Sequence, residues 1–194
     1  MKRILALILA ALLLLSGCGF VPAASDAAPL DFTELAPVFA LTDDDLMIRF
    51  GEPDQETVTS YTGLLASEFR YRRNVFRTES HSGAVYYACI YDDAIPGPRG
   101  VAVGMKPEEV TALFAAEAGH EPAVGQDGVT YRLLYGDYEE GYNYGAVLYE
   151  GSAARLIEYG SEGCILACGL RGGRVEYIEY IFGYFADYTT QTPE

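Results

Sequence analysis

Short runs of β-branched and aromatic residues, most of them bounded by glycine, recur along the chain and constrain its fold more than any other feature. Such runs favour β-strands, and short glycine-containing turns between them favour hairpins. Because hairpins join antiparallel neighbours, the pattern predicts antiparallel meanders. The predicted strands are Leu64–Tyr71, Asn74–Thr78, the run that follows Gly83, Val129–Tyr135, Tyr144–Glu150, Arg155–Tyr159, Cys164–Leu170 and the run that follows Gly173.

Two segments carry a helix signal and align with each other without gaps. LTDDDLMIRF (41–50) matches MKPEEVTALF (105–114), with apolar residues on one helical face in both. Thr42 is the predicted N-cap of the first helix, with Asp45 completing a capping box. Pro107 suits the first turn of the second helix, and acids at both starts match the positive end of the helix dipole.

The run after Gly83 also aligns with the run after Gly173. A helix followed by strands, occurring twice, predicts an α+β fold of two tandem units. Each unit is a short helical segment followed by an antiparallel β-meander, with the helices on one sheet face. The predicted boundaries are 31–100 for the first unit and 101–186 for the second, joined near Arg99–Gly100, with a polar tail at 187–194.

The N-terminus carries an export signal. Lys2 and Arg3 precede the apolar run Ile4–Leu15, which is shorter than the roughly 20 residues that a membrane-spanning helix needs. The run ends in Leu15-Ser16-Gly17-Cys18, which resembles a bacterial lipobox. We therefore predict a signal peptide at 1–17, lipidation of Cys18, and a flexible tether at 18–30. The protein would be anchored to the membrane through that lipid and face outside the cytoplasm.

Composition excludes one class of partner. The chain has a net charge of −15, so it repels phosphate backbones and we expect no nucleic-acid partner. Three cysteines follow Cys18, namely Cys89, Cys164 and Cys168. On one strand Cys164 and Cys168 would be roughly 13 Å apart, too far for a disulfide. A bridge from Cys89 to either of them is left open.

No catalytic or metal-binding motif stands out in the sequence. His81 and His120 have no ligand at metal spacing, and no nucleophile elbow, phosphate loop or dinucleotide fingerprint occurs. The acidic runs at 43–45, 92–93 and 137–140 lack calcium-loop spacing, and helix capping explains the first. We expect a protein that is not an enzyme and that has no cofactor or metal.

Two clusters are candidate contact sites. Tyr138, Tyr142 and Tyr144 lie around a glycine-rich acidic loop, where tyrosines suit a protein interface or sugar stacking, or are ordinary strand residues. Arg70 and Arg72 fall on one face of a predicted strand. They either pair with the protein's own carboxylates or contact lipid headgroups or an acidic wall polymer.

A family resemblance rests on four short stretches: FGEP at 50–53, Arg99-Gly100, Gly104-Met105 with Glu108-Glu109-Val110, and Leu134-Tyr135-Gly136. Over residues 31–185 the chain resembles the SmpA/OmlA (BamE-like) domain. β-Lactamase inhibitor proteins share that fold and carry two such units in tandem. The resemblance implies a non-catalytic lipoprotein that presents a sheet and its loops to a protein partner.

We therefore predict a membrane-anchored bacterial lipoprotein that acts as a protein-binding or scaffold module. The alternatives are a carboxylate-based extracytoplasmic hydrolase and a carbohydrate-binding module of the cell envelope.

The lipid anchor can be tested directly. We expect Cys18→Ala to leave the precursor unprocessed or to release the protein from the membrane, because the thiol that carries the lipid is lost. Mass spectrometry and membrane fractionation measure both effects. Unchanged mass and full membrane retention of the variant would exclude lipidation at Cys18.

Overall fold

A computed structural model describes residues 27–61 and 64–182. The predicted signal peptide, the lipidation site at Cys18 and the polar tail lie outside these residues. No helix in the described ranges has the length and apolar character needed to cross a membrane.

The described strands form one antiparallel sheet in the order β1-β2-β3-β4-β10-β9-β8-β7-β6-β5. Two meanders therefore meet where β4 pairs with β10. The strands are β1 Gln55–Tyr61, β2 Leu64–Tyr71, β3 Asn74–Glu79, β4 Val85–Ile90, β5 Ala123–Val124, β6 Thr130–Gly136, β7 Asn143–Glu150, β8 Ala153–Ser161, β9 Cys164–Arg171 and β10 Arg174–Ile181.

The described helices are short: α1 Ala36–Phe39, α2 Asp43–Phe50 and α3 Pro107–Thr111, with 3-10 turns at Phe32–Glu34 and Pro98–Gly100. Thr42 caps α2 as predicted. Its hydroxyl accepts from the Asp45 backbone N–H at 3.3 Å, while the Asp45 carboxylate accepts from the Thr42 N–H at 3.0 Å. Pro107 occupies the first turn of α3, also as predicted. This helix, α3, is the second of the two predicted helices, and it ends at Thr111 instead of at the predicted Phe114.

One face of the sheet packs against the helices and forms the main core. Phe50, the last residue of α2, contacts Tyr71 and Phe76 with ring centroids 5.1 and 5.4 Å apart. Phe114, just after α3, lies on Tyr159 at 4.2 Å. Each helical segment thus covers a different half of the same sheet.

The prediction of two tandem helix-plus-meander units is wrong, because the described strands form one ten-stranded sheet with one main core. The two strands that align in sequence, β4 and β10, are hydrogen-bonded to each other, with Ile90 opposite Ile178. The N-terminal segment then ties the halves together. The Arg99 guanidinium binds Glu34 at 2.6 Å and donates to the carbonyls of Ala28 and Leu113.

The described cysteines form no disulfide. Cys164 and Cys168 belong to the core beneath the helices, whereas Cys89 belongs to a smaller cluster with Tyr87. Because these clusters occupy opposite faces of the sheet, the possible bridge from Cys89 does not form.

Candidate binding face

No described helix packs on the second face of the sheet, which we call the open face. Side chains alternate along each strand, so the residues between core positions point to this face. On β10, for example, Ile178 and Tyr180 are buried in the core, and Tyr177 and Glu179 lie on the open side. Tyr177 also packs on the smaller cluster of Tyr87 and Cys89.

Strand register places two glutamates in one row across the open face. Glu179 pairs with Ala167, and Ala167 pairs with Glu158 on the following strand. Neighbouring strands are spaced about 4.8 Å apart, so the two glutamate Cα atoms are about 10 Å apart. A single alanine methyl separates the two acids within the row. Cys89 lies opposite Glu179 on the other side and extends the row onto β4.

Each of these glutamates accepts a hydrogen bond from a tyrosine hydroxyl. The Tyr144 hydroxyl donates to Glu158, and the Tyr87 hydroxyl donates to Glu179 at 2.7 Å. Burial raises the pKa of Glu158 and of Glu179, while the tyrosine hydrogen bonds act in the opposite direction. Burial and the adjacent carboxylates raise the pKa of both tyrosines, so their hydroxyls stay protonated as donors.

Glycines in the neighbouring strands make room for two tyrosine rings. A Cβ on Gly160 would lie 2.3 Å from the Tyr144 ring, and a Cβ on Gly169 would lie 2.1 Å from the Tyr177 ring. Neither distance is possible between real atoms, so only glycine allows these rings to lie across the strand. The open face therefore has a fixed floor of tyrosine rings and carboxylates.

The structure divides the predicted tyrosine cluster. Tyr138 stacks on Tyr131 at 4.4 Å and meets the edge of Tyr144 at 5.3 Å. Tyr144 is buried and belongs to the floor through Glu158. Tyr142 is 60% exposed in the loop between β6 and β7. It is thus Tyr142, of the three, that offers an outward contact surface.

The two predicted arginines line one depression at the β2–β4 end of the open face. Arg70 lies in β2 and binds Glu68 at 2.7 Å. Arg72 lies in the turn after β2, with φ 57°, and its N–H donates to Asp54 at 2.6 Å. Because Arg72 is in the turn, it does not share a strand face with Arg70 as predicted.

Sequence reasoning missed Glu158 and Glu179, the centre of the open face. A usable signal was present, because each glutamate lies between an isoleucine and a tyrosine in its strand, in the runs IEY at 157–159 and 178–180. The acidic runs that the sequence does bring to attention make hydrogen bonds to groups near them in the structure. Asp45 caps α2, Asp92 accepts from the Asn74 amide at 3.0 Å, and Asp137 accepts from the Glu139 N–H at 2.9 Å.

Within the described residues, no group of three or more histidine, cysteine, aspartate or glutamate side chains could hold a metal ion. His120 lies 3.3 Å from Glu117, and the backbone N–H of His81 donates to Glu79. The groups that the open face offers for recognition are carboxylate hydrogen-bond acceptors, aromatic rings and guanidinium groups.

No family model matches the sequence, and no curated protein matches it. One matching solved structure is an extracellular protein containing an SCP domain from Bacillus anthracis str. Ames, with a TM-score of 0.44, 12% identity, and coverage of 75% of this chain and 44% of that chain. Another is a cysteine-rich secretory protein from Staphylococcus aureus subsp. aureus Mu50, with a TM-score of 0.41, 12% identity, and coverage of 86% and 52%. The chain thus matches about half the length of each.

The resemblance to the SmpA/OmlA domain is wrong. No family model matches the sequence, and a continuous sheet crosses the boundary between the two expected units. The four quoted stretches are mostly turns and helix starts, such as Gly104 with φ 90° just before α3. Such stretches occur wherever a short helix precedes a meander, so they do not define a family.

The ring over Gly160 can be tested with a double-mutant cycle. We expect Gly160→Ala to lower the free energy of unfolding by about 1–3 kcal/mol, because the added methyl displaces the Tyr144 ring. In a Tyr144→Ala background the same change should cost far less, since no ring is left to displace. Urea unfolding of the four proteins measures the coupling. Strict additivity would show that the ring and the glycine do not interact.

The charge on Glu158 predicts a specific pH dependence. Burial raises its folded pKa above the ordinary value of 4.5, so the folded protein binds more protons than the unfolded chain. The resulting stability is fully present below that ordinary value and is lost as pH rises through the folded pKa. We expect Glu158→Gln to increase the free energy of unfolding at neutral pH, since the amide oxygen still accepts from Tyr144.

The comparison requires urea unfolding across a pH series, with the exposed Glu121→Gln as the matched control. Glu179 and Asp127 also act on the Glu158 carboxyl, so both stay unchanged in the experiment. The stability gained by Glu158→Gln should shrink as the pH falls toward 4.5. A constant difference at every pH would contradict the raised pKa.

Proposed function

We propose that this chain is an extracytoplasmic, lipid-anchored binding protein that holds a protein partner against its open face without catalysing a reaction. One observation carries the proposal: the helices cover one face of the sheet and leave the opposite, tyrosine-lined face uncovered in the described residues. The open-face tyrosines and glutamates are already held by hydrogen bonds. A surface ordered in advance loses less conformational entropy when a partner binds.

The chemistry of the open face supports recognition of a protein. Tyrosine and arginine are the residue types that most often dominate binding energy at protein interfaces. Here Arg73 lies 4.2 Å from the centroid of Tyr91, and Arg77 lies 4.6 Å from the centroid of Tyr87. Each pair joins a flat apolar surface to a charged donor.

The path of the N-terminal segment supports the same assignment. Arg99 donates to the carbonyls of Ala28 and Pro29, and the Leu30 N–H donates to the Tyr135 hydroxyl at 3.1 Å. Leu30 and Tyr135 both belong to the core on the helix side. A tether from Cys18 therefore joins the folded part on the covered face, and a partner could reach the open face without displacing it.

A carbohydrate-binding module is the second candidate. Tyr144 and Tyr177 lie across glycines, and the row of Glu158 and Glu179 runs between them. Tyr144 is buried in this floor and Tyr177 is half-buried, so of these two rings Tyr177 is the one that a sugar could stack on, beside the carboxylate acceptors. We favour a protein partner because a rim of guanidinium groups surrounds part of the same face.

The contact residue with the clearest prediction is Tyr142. Because its side chain is largely exposed, we expect Tyr142→Ala to leave the unfolding midpoint unchanged and to weaken partner capture about tenfold. The matched control is Ile48→Ala, a change at an 84% exposed apolar residue of α2 on the helix side. Tyr144→Ala is unsuitable here, because that ring is part of the packed floor.

Partners are identified by placing a photo-crosslinking residue at Tyr142, at Arg72 and, as control, at Ile48 in the membrane-anchored protein. We expect the same protein adduct from the first two positions and none from the third. Glycan adducts instead of protein would favour the carbohydrate-binding alternative. Equal capture of that protein from Ile48, or no adduct from Tyr142 and Arg72, would refute binding through the open face.

A further inference from the structure

The depression at the β2–β4 end of the open face has a composition opposite to that of the whole chain. It has a volume of about 570 Å³, and its lining includes Arg70, Arg72, Arg73 and Arg77 with Glu179 as the one acidic residue. The chain as a whole carries a net charge of −15. A concentration of arginines in so acidic a protein requires an explanation beyond composition.

Internal ion pairs neutralise only part of this positive charge. Glu68 accepts from Arg70 at 2.7 Å and from Arg77 at 2.9 Å, so one carboxylate serves two guanidinium groups. Arg77 also interacts electrostatically with Glu179, so the protein's own acids oppose part of this positive charge but do not match the four arginines one for one.

The same sharing recurs on the neighbouring side of the depression. Glu176 lies 3.1 Å from Arg73 and 3.3 Å from Arg171. Arg73 is also exposed, with 65% of its side chain accessible. In each of these two places one glutamate contacts two arginines, which leaves a local positive excess. Arg70 and Arg73 present it to solvent, whereas Arg77 is largely buried.

The tyrosine rings orient these guanidinium groups. Arg73 lies over Tyr91, and Tyr91 contacts Tyr177 with ring centroids 5.5 Å apart. Stacking uses the face of a guanidinium group and leaves its N–H donors at the edge free to meet a carboxylate in a bidentate pair. The depression thus combines ordered donors at its rim with an aromatic floor.

From this geometry we infer that the partner segment entering the depression is an acidic peptide. Its carboxylates would pair with the rim arginines, and an aromatic or apolar side chain would lie on Tyr177. This inference rests on the proposed function and adds the chemical class of the partner. Since the rest of the surface is acidic and repels such a peptide, the positive depression also fixes where it binds.

Glu179 favours a peptide over a polyanion. Its half-buried carboxylate lines the depression and accepts from the Tyr87 hydroxyl at 2.7 Å. A carboxylate in this place opposes the closely spaced charges of a phosphate polymer or an anionic membrane. It can accept a hydrogen bond from a backbone N–H, which a peptide supplies at every residue except proline.

The test uses the purified full chain and two labelled probes, a short peptide of glutamate and tyrosine and a peptide of equal length with lysine in place of glutamate. Fluorescence anisotropy measures binding. We expect the wild-type protein to bind the acidic peptide, and the double variant Arg72→Gln with Arg73→Gln to bind it about tenfold more weakly. Unfolding midpoints of both proteins confirm that the variant folds.

The matched control is Arg49→Gln with Lys106→Gln, which changes the net charge equally on the helix side. Arg49 donates to the Ala94 carbonyl and Lys106 lies 3.8 Å from Glu108. Neither residue is in the lining of the depression. We expect this control to retain wild-type affinity for the acidic peptide. An equal loss in the control would mean that net charge, not the depression, governs binding, and would overturn the inference.

Two further outcomes would overturn it. One is equal or tighter binding of the lysine peptide. The other is no binding of the acidic peptide together with arginine-dependent binding to phosphatidylglycerol vesicles, which would assign the depression to a membrane surface. A negative result with the peptides would refute the acidic partner segment but not the proposed function. Crosslinking from Tyr142 and Arg72 tests that function separately, because it detects a protein partner whatever its charge.

Discussion

The hydrogen bonding of β4 to β10 is the constraint on which the rest of the structure depends. This pairing joins two meanders edge to edge, so the middle of the sheet has no exposed strand edge. All six residues of β4 are buried. On the helix side they belong to the main core, and on the open face neighbouring side chains such as Tyr91 and Tyr177 pack around Tyr87 and Cys89. Because both halves belong to one sheet, the helical segments of both halves pack onto the same main core.

Arg99 stabilises that common core at the point where the chain passes from one half to the other. Its guanidinium group binds Glu34 and reaches the backbone carbonyls of Ala28 and Leu113. It also lies 4.8 Å from the centroid of Phe114. One side chain thus links the N-terminal segment to the segment after α3. Because these connections lie on the helix side, the opposite face is left for the tyrosines and glutamates.

Local features of the fold were predictable from the sequence, and the long-range pairing was not. The Thr42 capping box and most of the strands follow from residue types within a few positions of one another. β1 was missed because QETVTSY is polar, and β5 because two residues give no periodic signal. The β4–β10 pairing depends on register between distant segments. The alignment of these strands predicted equivalent positions in two units, whereas they are neighbours in one sheet.

The sequence could not predict that Glu158 and Glu179 lie in one row either, because that row depends on the register of three paired strands, β8, β9 and β10. A purely structural role does not explain them. Removing a carboxylate from water is unfavourable unless it is paired. Each of these accepts a hydrogen bond from a tyrosine, and Glu179 also interacts electrostatically with Arg77. Apolar residues would satisfy the same strand positions at lower free energy. Under the proposed function, these two half-buried acids, on a face that no described helix covers, serve as hydrogen-bond acceptors for the partner.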